Sequence, residues 1–292
     1  MITRPLTRAA NRFLDWLSFW FHFCRFAGMG PREIYPNPPL ALAVVELRHP
    51  VTAALSEAEQ AALKGCLAEV FPLARPAPGA VNMTVTPAGV TNEQTPPSPR
   101  YMTRDNTASV TFRLDAIAVE TTRYVRRSAL RELLRLAVDA RQKVAAADGV
   151  TRLGVRYVNE VRVGIEGPAD WARWISPGLT NIAGLEAGTT GPARSWQGMA
   201  VFGDQQEGVV LRHGNLEGYA VNPSGDLRRP TPPPGPFYLI DLDSYWTPEG
   251  ETPTFDWDNI ENRYDAAALN AHALFEQLIT DEYRREVLRR DH

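Results

Sequence analysis

Six side chains in the C-terminal part of the chain have the types and spacing for metal-assisted chemistry. Asp241 and Asp243 alternate within Phe237-Tyr-Leu-Ile-Asp-Leu-Asp-Ser-Tyr-Trp246, so a strand there presents both carboxylates on one face. Asp256, Asp258 and Glu261 follow in an acidic stretch that reads as a loop, and His272 lies beyond it. Two or three such oxygens could hold a magnesium or manganese ion for phosphoryl chemistry. The alternation also carries a simpler expectation. Asp241 and Asp243 lie opposite Tyr238, Ile240 and Leu242, on the face where strand carboxylates meet water or cross-strand arginines, and Arg156 and Arg162 are available for that pairing. His272 sits beside the apolar stripe of a helix and is expected to be a satisfied packing histidine.

A second set of residues has the chemistry of recognition. Leu153-Gly-Val-Arg-Tyr-Val-Asn-Glu-Val-Arg-Val163 alternates as a half-buried strand, with Arg156, Glu160 and Arg162 on one face and Asn159 among apolar residues on the other. An unpaired amide there would cost about 1–3 kcal/mol, so Asn159 needs a partner. Backbone at a bulge or strand end is the expected one, and a ligand-facing role is the alternative. Trp171, Trp174 and Trp196 sit on a long connection, Gly164 to Trp196, of a length that is either functional or partly helical. Pro168 to Ile175 reads as a short helix docking its tryptophans, and these rings are candidate partner anchors.

Composition narrows the function classes. The 31 basic and 34 acidic residues give a formal net charge of -3, which argues against a protein built mainly to grip phosphate backbones and favours a protein partner over nucleic acid. Cys24 and Cys66 have no metal-ligand or redox spacing, so a disulfide scaffold and a structural zinc site are not expected and a reducing cytoplasm fits best. No Gly-x-Ser-x-Gly elbow, His-Glu-x-x-His pair, Cys-x-x-Cys or phosphate loop occurs. The sequence therefore reads as a non-catalytic macromolecule-binding or regulatory protein without a cofactor. The alternative is a metal-dependent hydrolase or nuclease using Asp241, Asp243 and the nearby carboxylates.

The elements that must position these residues fall into an expected α+β order: two related units of mainly antiparallel sheet packed against amphipathic helices. Residues 1–28 form a basic, aromatic extension, either a docking helix or sequence upstream of a natural start at Met29; their charges exclude a membrane span, and no transmembrane segment is expected. Residues 29–163 make the first unit, 164–198 the tryptophan-bearing connection and 199–292 the second unit; a homo-oligomer is compatible with this order. Leu40 to Arg48, apolar on both faces up to Glu46, is expected inside a sheet. Ser56-Glu-Ala-Glu59 is a capping box. Ser128 is expected to cap a helix whose Arg127, Arg131, Arg135 and Arg141 lie largely outside its apolar stripe. Ala266 to Ile279 reads as a second long helix. Leu114-Asp115 and Leu242-Asp243 each precede a helix, which suggests a duplication.

The segments Asn37-Pro-Pro-Leu followed by Val45-Glu-Leu-Arg48, Gly154-Val-Arg-Tyr-Val-Asn159, and Leu269-Asn-Ala-His-Ala-Leu-Phe-Glu-Gln-Leu-Ile-Thr280 together resemble a sporadically distributed prokaryotic family of uncharacterised proteins. The resemblance runs from Gly30 to the C-terminus. It supports the fold and its limits and supplies no catalytic residue. Patchy distribution implies an accessory role such as defence or toxin control.

Overall fold

The computed structural model describes residues 35–79, 81–86, 89–94 and 97–290. The expected 1–28 extension lies outside the described residues. The fold is α+β, and its centre is one antiparallel sheet of nine strands.

β1 (Leu40–Arg48) runs through the middle of that sheet, as its two apolar faces require. On one side of it stand β7 (Ala116–Thr121), β6 (Ala108–Phe112), β5 (Arg100–Met102) and β2 (Leu73–Ala74). On the other stand β8 (Arg152–Val161), β11 (Gly235–Trp246), β10 (Glu207–Gly218) and β9 (Trp196–Gly203). β3 (Val81–Thr86) and β4 (Gly89–Gln94) pair separately as a hairpin. The turn between β5 and β6 contains Asn106 at φ 57°, a left-handed conformation that asparagine tolerates better than most residues.

Three long helices pack on one face of the sheet. α1 (Glu57–Leu67) opens with the capping box, both of whose reciprocal bonds form between Ser56 and Glu59. α2 (Arg127–Val144) starts one residue before Ser128: Arg126 is the N-cap, no side chain caps it, and the backbone N–H groups of Ala129 and Leu130 bond to the Arg126 carbonyl instead. Arg141 of α2 is buried, donating Nη2 to Thr52 Oγ1 at 3.0 Å, in contrast to its expected place outside the stripe. α3 (Trp257–Leu278) begins nine residues earlier than its apolar periodicity indicates. Asp256 caps it by accepting from the Asn259 N–H, so Asp258 is a first-turn helix residue, placed where the helix dipole favours negative charge, and Glu261 follows one turn on.

Two hydrophobic clusters lie under this face. One gathers β1, β6, β7 and the Leu153 end of β8 with α1, α2 and the first half of α3. The other gathers β10, β11 and the Val161 end of β8 with Trp171, Trp174, the second half of α3 and the C-terminal Tyr283 and Leu288. α3 and the sheet run through both clusters, and β8 pairs with β1 and β11 across the expected boundary at residue 163. Leu114 and Asp115 form a turn between β6 and β7, whereas Leu242 and Asp243 are mid-strand in β11, so the two dipeptides do not occupy equivalent places.

Candidate functional site

The face of the sheet away from the helices carries a charged ladder across its middle. Cross-strand register builds it in rows: Met199, Arg212, Asp241 and Val158 in one, and Val201, Val210, Asp243, Arg156, Val44 and Glu120 in the next. Asp241 is almost fully buried and is held bidentately by Arg156, Nε to Oδ1 and Nη2 to Oδ2, both at 2.7 Å. Arg212 Nη1 approaches the same carboxylate at 3.7 Å. Asp243 receives Arg152 Nη2 at 3.4 Å. Glu46 is shared by Arg48 at 2.6 Å, Arg113 at 2.9 Å and Arg152 at 3.8 Å. Burial alone would raise the Glu46 pKa, but these arginines outweigh it and hold the carboxyl below the usual glutamate range. The hydrogen bonds to Asp241 likewise raise the Arg156 pKa against the effect of burial.

The expected arginine partner of the strand aspartates is thus present in Arg156. Arg162 goes elsewhere, to Glu160 at 2.7 Å. Asp241 and Asp243 do not converge with Asp256 and Asp258. Asp256 caps α3, Glu261 pairs with Arg131 at 2.6 Å, and no group of three metal-ligating side chains gathers among the described residues.

Exposure across this face is asymmetric. The side chains of Arg156 and Arg212 are 46% and 43% exposed, while that of Asp241 is 3% exposed. The carboxylates lie beneath and the guanidinium groups stand above. At the β9 edge the ladder meets Met199 and Val201, both well exposed. Arg212, Arg152, Met199 and Val201 were missed by sequence reasoning. The alternation of Met199 and Val201 with Gly198 and Ala200 was a readable signal for them.

The three tryptophans are interior, which corrects their expected role as partner anchors. Trp171 is fully buried and donates Nε1–H to Asn215 Oδ1 at 2.9 Å. Trp171 and Trp196 both meet Tyr238 edge to face, at 5.4 and 6.2 Å between ring centroids. Trp174 lies under the Arg173 guanidinium at 4.3 Å and edge-on to Tyr283. The connection folds as short helical turns, Pro168–Asp170, Trp171–Trp174 and Pro177–Thr180, that push these rings under the sheet.

Asn159 has the backbone partner its position demands, donating Nδ2 to Ile240 O at 3.0 Å and to Tyr157 O at 3.4 Å. The β1 register shifts beside it, between Leu40 and Leu42. Asn159 also lines a cavity of about 600 Å³ where the two hydrophobic clusters meet. His272 lines the same cavity, half-buried and without a hydrogen bond to another described residue. Pro38 and Leu40, Tyr157 and Asn159, and Leu269 and His272 line that cavity from three separate stretches of the chain.

No protein-family model matches the chain, and no curated protein matches it. Among the described residues, no helix is long and apolar enough to cross a membrane.

Proposed function

We propose that this chain is a non-catalytic binding protein that docks an acidic protein surface on the open face of its sheet. The observation that carries the reading is the exposure asymmetry of the ladder. Arg156 and Arg212 offer guanidinium edges to solvent, while the Asp241 carboxylate that orients them is shielded beneath. A partner carboxylate can therefore approach the arginines without meeting Asp241 first. Exposed Met199 and Val201 beside them supply the apolar part of an interface in which arginine and methionine are characteristically enriched. A flexible apolar rim and a formal net charge of -3 favour protein over nucleic acid as the partner.

The protein works in a reducing cytoplasm, in keeping with its two widely spaced cysteines, as a regulatory component of an accessory system such as defence or toxin control. A photo-crosslinking residue placed at Met199 of the full chain tests the reading in the native host. Discrete protein adducts mapping to acidic segments are expected. Adducts that nuclease digestion removes would assign the face to nucleic acid instead.

A further inference from the structure

We infer that the cavity between α2, α3 and β8 is a second binding site, taking a small carboxylic acid with a planar apolar body and a hydrogen-bond donor at its buried end. The inference is independent of the open face, which lies on the opposite side of the sheet. A volume of about 600 Å³ is in the range that holds small-molecule ligands. The cavity floor is apolar, built from Leu242, Ala268, Ala271 and Phe275, and one of the polar side chains that line the cavity is itself buried.

That side chain is Asn159, only 5% exposed. Its two acceptor partners are both carbonyl oxygens, which only the NH₂ end of the amide can face, so the orientation is fixed and Oδ1 is the atom left over. Among the described residues Oδ1 accepts no hydrogen bond. An acceptor that no protein group satisfies, set among apolar neighbours, favours a ligand that brings an N–H or O–H to it. Tyr124 and Tyr157 form one wall, edge to face at 5.6 Å and 79°, a geometry suited to a flat apolar body.

The mouth has the opposite chemistry. It opens at the N-terminus of the 18-residue α2, beside Arg126, Arg127 and Ser128. No side chain caps this helix and its first turn holds no acid, so the positive end of its dipole is left for a ligand. Arg127 and Arg131 are neutralised by Asp265 and Glu261. Arg126 is exposed and has no ion pair among the described residues, and Arg127 Nη1 is buried without a hydrogen-bond partner. One free guanidinium at a helix terminus matches a monoanionic carboxylate.

Calorimetric titration of the full chain tests the site with three probes. These are a hydroxynaphthoate with hydroxyl and carboxylate at opposite ends, the naphthoate lacking the hydroxyl, and the naphthol lacking the carboxylate. The hydroxynaphthoate should bind saturably, and each truncated probe roughly tenfold more weakly, which is about 1.4 kcal/mol. Asn159→Ala should close the gap between hydroxynaphthoate and naphthoate. Arg126→Glu should close the gap between hydroxynaphthoate and naphthol, and it keeps the helix because an acid suits that terminus. Leu269→Trp, which fills the cavity, should abolish all three while leaving the Met199 crosslinks on the other face intact. Equal affinity for the three probes, gaps that persist in the variants, or no saturable binding by any probe would overturn the proposal. If Asn159→Ala fails to fold, the Arg126→Glu and probe-series arms still decide.

Discussion

Arg156 on β8 reaches diagonally to Asp241 on β11, because the register sets Asp241 opposite Val158 and Arg156 opposite Asp243. The diagonal leaves Asp243 to Arg152 and lets Arg212 approach Asp241 from the next strand. One buried carboxylate thereby fixes the orientation of two half-exposed arginines.

Removing the clamp should unsettle the sheet more than removing the charge beneath it. Arg156→Ala strands a buried carboxylate with only the longer Arg212 contact, and is expected to lower stability by about 1–3 kcal/mol in urea unfolding. Asp241→Asn keeps an acceptor of the same shape and should cost less. A loss in the reverse order would mean that the pair is not what holds this part of the face.

Acid should loosen the same face through Glu46. Its carboxyl titrates below the ordinary value of 4.5 in the folded protein, so its stabilisation is complete above that value and is lost as pH falls through the lower folded one. Glu46→Gln should therefore flatten the fall in thermal stability below about pH 4.5 and leave the slope near pH 7 unchanged. Parallel acid limbs in the two proteins would remove Glu46 from the account.

Trp171 is expected to behave as a core residue. Trp171→Phe deletes the N–H that satisfies Asn215 Oδ1 and leaves space beside Tyr238, for a combined cost of about 2–4 kcal/mol. Crosslinking from position 199 in the folded fraction should persist. A stable variant that had lost its partner would return the tryptophans to the binding surface.

Local signals were legible in the chain and distant convergences were not. The capping box at Ser56, the interior character of β1 and the need of Asn159 for a backbone partner follow from a few neighbouring residues, and each is observed. The start of α3 was obscured because Asp256, Asp258 and Glu261 look like a loop, although acids at a helix N-terminus are favourable. The burial of the tryptophans depends on which way short helical turns roll against β10 and β11, which their spacing does not encode. The cavity is assembled from residues 35–40, 124–131, 157–159, 242 and 268–275, so no window of sequence contains it.

Asn159 stands between these two cases, being structural through Nδ2 and facing the cavity with the residue's remaining acceptor. Asn159→Ala should lower stability by about 1–3 kcal/mol, because the Ile240 carbonyl loses its donor. An unchanged unfolding midpoint would show that this bond contributes nothing to the sheet.

The most direct test of the docking face is the yield of the Met199 crosslink in Arg212→Gln. Arg212 is half exposed and lies 3.7 Å from Asp241, which keeps its bidentate hold on Arg156, so removing the Arg212 charge should change the melting temperature little while taking one guanidinium from the path of an acidic partner. The adduct yield should fall roughly tenfold or more at unchanged stability. An unchanged yield from an equally stable Arg212→Gln protein would contradict the account.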